Sequence, residues 1–328
     1  MNDNFTRNEL SKGVFFNSII DNRFKTNRIS VNFIVPLDKK YVTINALIPF
    51  ILRKGSRKLP DFTAFSAALE NLYGASADCD IMKLGDNQVL TLSISSIDDK
   101  FTFEKNDDLI QNLSNIIADM TLDPVIINDG FDEKEVELEK NALIDTIEAE
   151  INEKRIYALN NTVKLMCENE PYGIPKYGYK EDVGTINSIS AYNAYMRLIK
   201  TARIEIMFTG CGDYEKTYSV FLERFKNIDR LQINDSITST HKFSGSIKTK
   251  NELMSVTQSK MVIGFSSDIK EKENMLAAAR LMVCVLGGTP TSKLFLNVRE
   301  RLSLCYYCAA RFDKYKGILL IYCGVEKE

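Results

Sequence analysis

Residues 260–269 read KMVIGFSSDI and repeat the pattern of residues 29–38, ISVNFIVPLD. The pair Phe33 and Phe265 differs by 232 positions, and the pairs Gly55 and Gly287, and Gly85 and Gly317, keep the same offset. Two further matched segments contain these glycines: YVTINALIPFILRKG (41–55) with KENMLAAARLMVCVLGG (272–288), and KLGDNQVLTLS (83–93) with KYKGILLIYCG (314–324). Three segments in one order at one offset predict a duplicated domain.

Each copy reads as a strand, an apolar helix and then a hairpin, a succession typical of an α+β domain. Residues 132–168 are helical in pattern and acidic on one face, with a break expected near Glu153 and Lys154. The last residue, Glu328, corresponds to position 96 of the first copy (328 minus 232). We therefore expect a complete first domain over residues 1–227, a linker over 228–256, and a truncated second copy over 257–328.

Composition limits the class of protein and of partner. Of the 328 residues 45% are hydrophobic and 26% charged, and the formal net charge is −2, so no basic field predicts a nucleic-acid partner. The N-terminal sequence MNDNFTRNELSKG lacks the apolar core of a secretory signal, and no apolar run reaches transmembrane length. Seven scattered cysteines, an odd number, favour a reducing compartment. We expect a cytoplasmic protein without a membrane partner.

The chain contains one histidine, His241, in the polar stretch ITSTHKFSGS. This composition predicts an exposed linker position. A hydrolytic zinc site usually needs two or three imidazoles, and a Ser-His-Asp triad needs one that is precisely placed. The histidine count therefore argues against both kinds of site within this subunit.

The stretch LFLNVRERLSLCYY, residues 294–307, contains an arginine and a tyrosine seven residues apart, Arg299 and Tyr306. A helix that breaks near Ser303 into a strand would bring both side chains to one end of a sheet. Their N–H and O–H donors suit a developing oxyanion or a peptide carbonyl. The alternative interpretation is an arginine paired with a surface carboxylate and a tyrosine half in the core.

Cys305 and Cys308 form a C-x-x-C pair at the end of the same stretch. Residues three apart on a strand face opposite sides, which argues against a shared metal or redox role. Autonomous catalysis by these cysteines stays as a third, minor alternative, and it predicts a thiol with a low pKa.

The whole pattern resembles the insulinase/pitrilysin zinc metallopeptidase family, in particular its mitochondrial-processing-peptidase-like bacterial branch. The residues that carry the resemblance are LENLYGAS, the acidic helix around Glu139, PYGIPKYGY, FTGCGD, QSKMVIGFSS, and LGGTPTSKLFLNVRERLSLCYY with its R-E-x-x-x-L-x-Y pattern. It implies a mixed, largely antiparallel sheet with helices packed on one face in each metallopeptidase-like copy.

Active members of that family carry an inverted zinc motif, H-x-x-E-H, on the first helix of the domain. Aligned on Lys54-Gly55-Ser56, the motif falls on residues 46–50, where this chain has Ala46, Pro49 and Phe50 in place of the two histidines and the glutamate. The glutamate pair of the acidic helix falls on Glu139 and Thr146, so the third zinc ligand is expected to be missing too. The resemblance implies no zinc in this chain.

The resemblance assigns Arg299 and Tyr306 to the pair that in this family faces the zinc from a second half or subunit. Ser303 stands where the family often has glycine, and Tyr307 competes with Tyr306 for the inward position. The first hypothesis is a non-catalytic subunit that binds an extended peptide and supplies both side chains in trans to a catalytic partner bearing H-x-x-E-H and zinc. The second is a binding or assembly module with no role in hydrolysis. Because the truncated second copy lacks its covering helices, the chain is expected to self-associate through residues beyond about 255.

Overall fold

The computed structural model describes residues 5–103, 108–235, 237–242, 245–269 and 274–326. Its contacts separate two compact units. Unit 1 comprises residues 1–83, 88–144 and 176–236, and unit 2 comprises residues 84–87, 145–175 and 237–328, each within the described ranges. No helix among the described residues combines the length and the apolar composition needed to cross a membrane.

A mixed six-stranded sheet forms the centre of unit 1. Its strands are β1 (Phe5–Ser11), β2 (Val14–Ile20), β3 (Thr26–Pro36), β4 (Ser76–Leu84), β5 (Asn87–Ile97) and β6 (Arg203–Gly210), in the order β1-β2-β6-β3-β5-β4. β1 and β3 run antiparallel to their partners β2 and β6, while β2 and β6 are parallel. Along β3 every second side chain from Asn27 to Val35 is buried, so one face of the sheet is covered.

The helices follow the apolar periodicity of the sequence. They are α1 (Val42–Leu52), α2 (Phe62–Asn71), α3 (Leu109–Leu122), α4 (Glu133–Ala149), α5 (Lys154–Met166), α6 (Lys180–Val183), α7 (Ser188–Thr201), α8 (Tyr214–Phe225) and α9 (Met275–Val283). The side chain of Asp61 caps α2 by accepting a hydrogen bond from the Ala64 N–H. The expected break is confirmed, because α4 ends before α5 begins and a short 3₁₀ turn, Glu150–Asn152, separates them.

Unit 2 contains a second sheet with the topology of half the first. The strands β7 (Gln258–Ser266), β8 (Tyr307–Asp313) and β9 (Ile318–Glu326) pair antiparallel in the order β7-β9-β8. Their counterparts 232 positions earlier, β3, β4 and β5, occur in the matching order β3-β5-β4. Both hairpin turns place a glycine in the left-handed region, Gly85 at φ +58° and Gly317 at φ +65°. The duplication and the fold class are confirmed.

The linear partition into a first domain, a linker and a second domain differs from these contact units. Residues 145–175 group with unit 2 because α5 packs against β7, where Met166 lies directly over Gly264. The described part of residues 228–256 lacks helices and strands, as a linker would, yet it is anchored. The Arg230 guanidinium donates hydrogen bonds to the Ile199 and Ala202 carbonyls in unit 1.

His241 is buried within unit 2, so the expectation of an exposed position is wrong. Its backbone N–H donates to the Lys316 carbonyl at 2.7 Å, and its imidazole contacts Glu170 and Cys167. Polar composition predicted solvent exposure, but these partners lie more than seventy positions away in the sequence and no local pattern reveals them.

Candidate peptidase-like site

The residues at the expected zinc motif cannot bind a metal ion. Ala46 and Pro49 are buried inside α1 and Phe50 is half-buried, and none of them carries an electron-pair donor that zinc accepts. Thr146, on the adjacent acidic helix α4, is exposed and offers only a hydroxyl. The zinc ion of active family members therefore does not fit the residues present here.

The ammonium group of Lys54 lies beside Glu139, the one residue of the expected zinc-site glutamate pair that is a glutamate in this chain. Lys54, just after α1, places its Nζ 2.8 Å from Glu139 Oε1 and 3.5 Å from Glu135 Oε2. Glu139 is buried, and its hydrogen bond raises the pKa of Lys54, which keeps the lysine charged. The cation beside Glu139 and Glu135 is thus a lysine of the protein itself.

Arg299 lies on a π-helical segment, Phe295–Arg301, and its side chain is 42% exposed. The guanidinium stacks on the Phe295 ring at 4.5 Å and approaches Glu300 at 3.7 Å. The segment ends at Arg301, and two residues later Ser303 adopts the left-handed φ of +52°, so the predicted break near Ser303 is confirmed. Glycine adopts this left-handed conformation without the steric cost that a side chain adds.

Tyr306 lies immediately before β8 and is 55% exposed. Its backbone N–H donates to the Gly324 carbonyl, and its hydroxyl donates to Glu326 at the end of β9. That hydrogen bond raises the pKa of Tyr306, so the phenol stays protonated and able to donate. Tyr307 is half-buried between the cations of Lys260 and Arg155, at 5.3 and 6.0 Å from its ring. Of the two neighbouring phenols, Tyr306 is the solvent-accessible one.

Cys305 and Cys308 lie on the same side of the chain, contrary to the expectation from strand alternation. Cys305 precedes the first residue of β8, so the alternation rule does not reach it. Both thiols pack in a buried cluster with Cys323. Burial raises the pKa of Cys308 to about 11, the opposite of an activated thiol, which argues against catalysis by this cysteine.

Unit 2 contains a buried charge cluster that the sequence did not predict. Lys316 is fully buried, and its Nζ lies 3.0 Å from Asp86 Oδ1 and 2.8 Å from Glu170 Oε2. Glu170 Oε1 in turn contacts His241 Nδ1 at 2.5 Å. The single signal in the sequence was the repeated turn glycine beside Lys316, which predicts a hairpin but gives no indication of burial.

Comparison with known proteins finds a family model and a relative to which this chain is similar. Residues 186–328 match the family model of the peptidase M16 inactive domain. A probable inactive metalloprotease of Bacillus subtilis (strain 168), YmfF, is 29% identical over 305 residues, which cover 93% of this chain and 71% of that protein.

Two solved structures share the fold at lower identity. A conserved protein from Enterococcus faecalis V583 superposes with a TM-score of 0.89 at 22% identity, covering 98% of this chain and 76% of the other. The peptidase M16 inactive domain from Pseudomonas fluorescens gives 0.75 at 15% identity, covering 98% of this chain and 74% of the other. Together with the family match, these likenesses confirm the insulinase/pitrilysin resemblance.

Proposed function

Because residues 186–328 of this chain match the family model of the peptidase M16 inactive domain, we propose that it is the non-catalytic subunit of a zinc metallopeptidase. In this proposal it binds an extended peptide and supplies Arg299 and Tyr306 to the zinc site of a partner subunit that carries H-x-x-E-H.

The vacant zinc position supports a role without hydrolysis by this chain. A zinc-activated water needs three protein ligands around the ion, and the residues at 46, 50 and 146 provide none of the usual ones. The Lys54 ammonium forms an ion pair with Glu139, the one acidic residue that the chain keeps at this position.

The observation that carries the proposal is the exposure of Arg299 and Tyr306. Arg299 and Tyr306 match, in residue type and spacing, the pair that the family resemblance implies faces the substrate. Both side chains are exposed on unit 2; the Arg299 guanidinium carries several N–H donors, and the Tyr306 O–H would have to turn from Glu326 to a substrate. Donors aimed at a developing oxyanion stabilise the transition state of peptide cleavage.

An extended peptide would pair with the free edge of β8. This strand is the outer member of its sheet among the described residues, and it begins one residue after Tyr306. Backbone groups on such an edge form hydrogen bonds with an added strand whatever its side chains, so a peptide bound there would pass beside the phenol.

The experiment combines the purified chain with a catalytic family member that bears H-x-x-E-H and follows peptide cleavage. Arg299→Ala and Tyr306→Phe are each expected to lower kcat by about 10²-fold, the usual loss for one oxyanion donor. Arg301→Ala and Tyr307→Phe are the matched controls from the same stretch and should leave the rate unchanged. Equal rates for all four variants would show that the pair is structural.

The second candidate function is a binding or assembly module that takes no part in hydrolysis. The internal partners of the pair favour it, since Tyr306 bonds Glu326 and Arg299 stacks on Phe295. This function predicts a stable complex with a partner protein and no stimulation of cleavage. Both candidates act in the bacterial cytoplasm in our proposal, which is supported by the seven cysteines being free thiols.

A further inference from the structure

The end of α5 and the segment 237–242 bring a thiol, a carboxylate and an imidazole together inside unit 2. Cys167 follows the last residue of α5, and the chain turns back at once, with the Glu170 N–H donating to the Cys167 carbonyl at 2.9 Å. Gly173 permits this turn, because a Cβ there would lie 2.2 Å from the Cys167 carbonyl oxygen. The third member is the imidazole of His241, which lies 71 positions after Glu170 in the sequence.

The three ligand atoms have nearly the spacing that a zinc ion requires. Cys167 Sγ lies 3.8 Å from His241 Nδ1, Glu170 Oε1 lies 2.5 Å from the same nitrogen, and all three atoms fall within 4.8 Å of one another. Tetrahedral bonds of zinc to sulfur, nitrogen and oxygen place such atoms about 3.4–3.6 Å apart. The sulfur lies about 0.2 Å beyond this distance from the nitrogen, and the carboxylate oxygen needs to move outward from the nitrogen by about 0.9 Å.

The surroundings of the three atoms suit a divalent cation. A thiolate and a carboxylate together balance its charge, and Cys167 and His241 are buried, so the ion would be held away from water. The ammonium of Lys316 contacts the other oxygen of Glu170 at 2.8 Å. It would hold that carboxylate in place, in the manner of the outer partners that orient metal ligands.

One cavity of unit 2 reaches the cluster at His241. A cavity of about 870 Å³ in unit 2 is bounded by α5, residues 246–256 and β7, and His241 forms part of its wall. We propose that Cys167, Glu170 and His241 bind one transition-metal ion of the zinc class. The ion joins the end of α5 to the segment 237–242 and is separate from the vacant peptidase position on α1.

The test uses the whole chain, freed of metal with a chelator and titrated with Co²⁺, whose bond to a thiolate gives a near-ultraviolet absorption band. One equivalent is expected to saturate the band, and Zn²⁺ should displace it. Cys167→Ala should abolish the band, and His241→Gln should weaken Co²⁺ binding at least 10-fold. The matched controls Cys284→Ala and Cys308→Ala, an exposed and a buried thiol elsewhere in unit 2, should bind as the unaltered chain does.

A second measurement does not depend on the folding of any variant. Because the chain has a single histidine, the imidazole nitrogens of a ¹⁵N-labelled sample report on His241 alone. One equivalent of Zn²⁺ should shift the Nδ1 resonance. An unshifted resonance, or a Co²⁺ band unchanged in Cys167→Ala, would overturn the proposal and leave the cluster as a buried ion network.

Discussion

Replacing Lys316 with methionine would leave the buried carboxylate of Asp86 and the half-buried carboxylate of Glu170 without their cation. The ammonium lies 2.8 Å from Glu170 and 3.0 and 3.3 Å from the two oxygens of Asp86. At an effective dielectric constant of about 20, each carboxylate at this distance attracts the ammonium by about 5 kcal/mol, and the desolvation of the buried charges offsets most of it. Removal of one partner from a buried group of this kind costs about 3–5 kcal/mol, because the remaining charges stay buried. We expect a loss of that size in the free energy of unfolding.

Urea unfolding at pH 7, followed by circular dichroism, measures this change. Lys293→Met is the matched control, because Lys293 is exposed on the same unit, and it should stay within about 0.5 kcal/mol of the unaltered chain. A loss below about 1 kcal/mol for Lys316→Met would refute the reasoning, since it would mean that the carboxylates relax or take up protons at little cost.

The pH dependence provides an independent check. Burial raises the pKa of Glu170, but hydrogen bonds from Lys316 and His241 outweigh it and hold the pKa below the ordinary value of 4.5. A carboxylate with a lowered pKa in the folded state contributes stability above its unfolded pKa and loses that contribution as the pH falls through the folded value. The unaltered chain should therefore lose stability below pH 4.5, whereas the deficit of Lys316→Met should shrink there because protonation of Glu170 removes a charge that lacks its ammonium partner.

Three further changes test other parts of unit 2. Ser303→Gly should raise the free energy of unfolding in urea by up to about 1 kcal/mol. Glycine relieves the left-handed strain at this position, about 1–2 kcal/mol, and this gain exceeds the entropy that glycine adds to the unfolded chain. A lower free energy of unfolding would show that Ser303 is not strained. Cys308 should react with a thiol reagent at pH 8 far more slowly than the exposed Cys284, because a pKa of about 11 leaves only about one Cys308 thiol in a thousand ionised. Peptide mass mapping measures the two rates, and equal rates would contradict the burial of Cys308. Phe265→Lys should reduce self-association measured by light scattering, because Met261, Ile263 and Phe265 form one exposed apolar face of β7. If the unaltered chain is monomeric, this face does not cause self-association.

The repeat and the missing zinc motif were predictable because both depend on residue type and spacing alone. Gly85 and Gly317 occupy left-handed turns that a side chain would strain, so their common offset reported two equivalent hairpins. The vacancy at Ala46 and Pro49 follows from the absence of donor atoms, whatever the detailed packing.

The charge cluster was not predictable from the same evidence. The turn KYKG around Lys316 has the composition of an exposed hairpin loop, and its partner Asp86 lies 230 positions away. The same holds for His241, whose partners are 71 and 74 positions distant. Burial of these groups depends on long-range contacts that periodicity and composition do not report.

The meeting of the two hairpin turns at Asp86 and Lys316 records how the copies diverged. Under the offset of 232, Lys316 corresponds to Leu84 and Asp86 corresponds to Ile318. The equivalent pair with the two copies interchanged is therefore Leu84 and Ile318, two aliphatic side chains. Two identical chains related by a two-fold axis would present the same residues on both sides of such a contact. The acid in one turn and the base in the other therefore make the copies non-interchangeable: a molecule built from two first copies, or two second copies, would lose this ion pair.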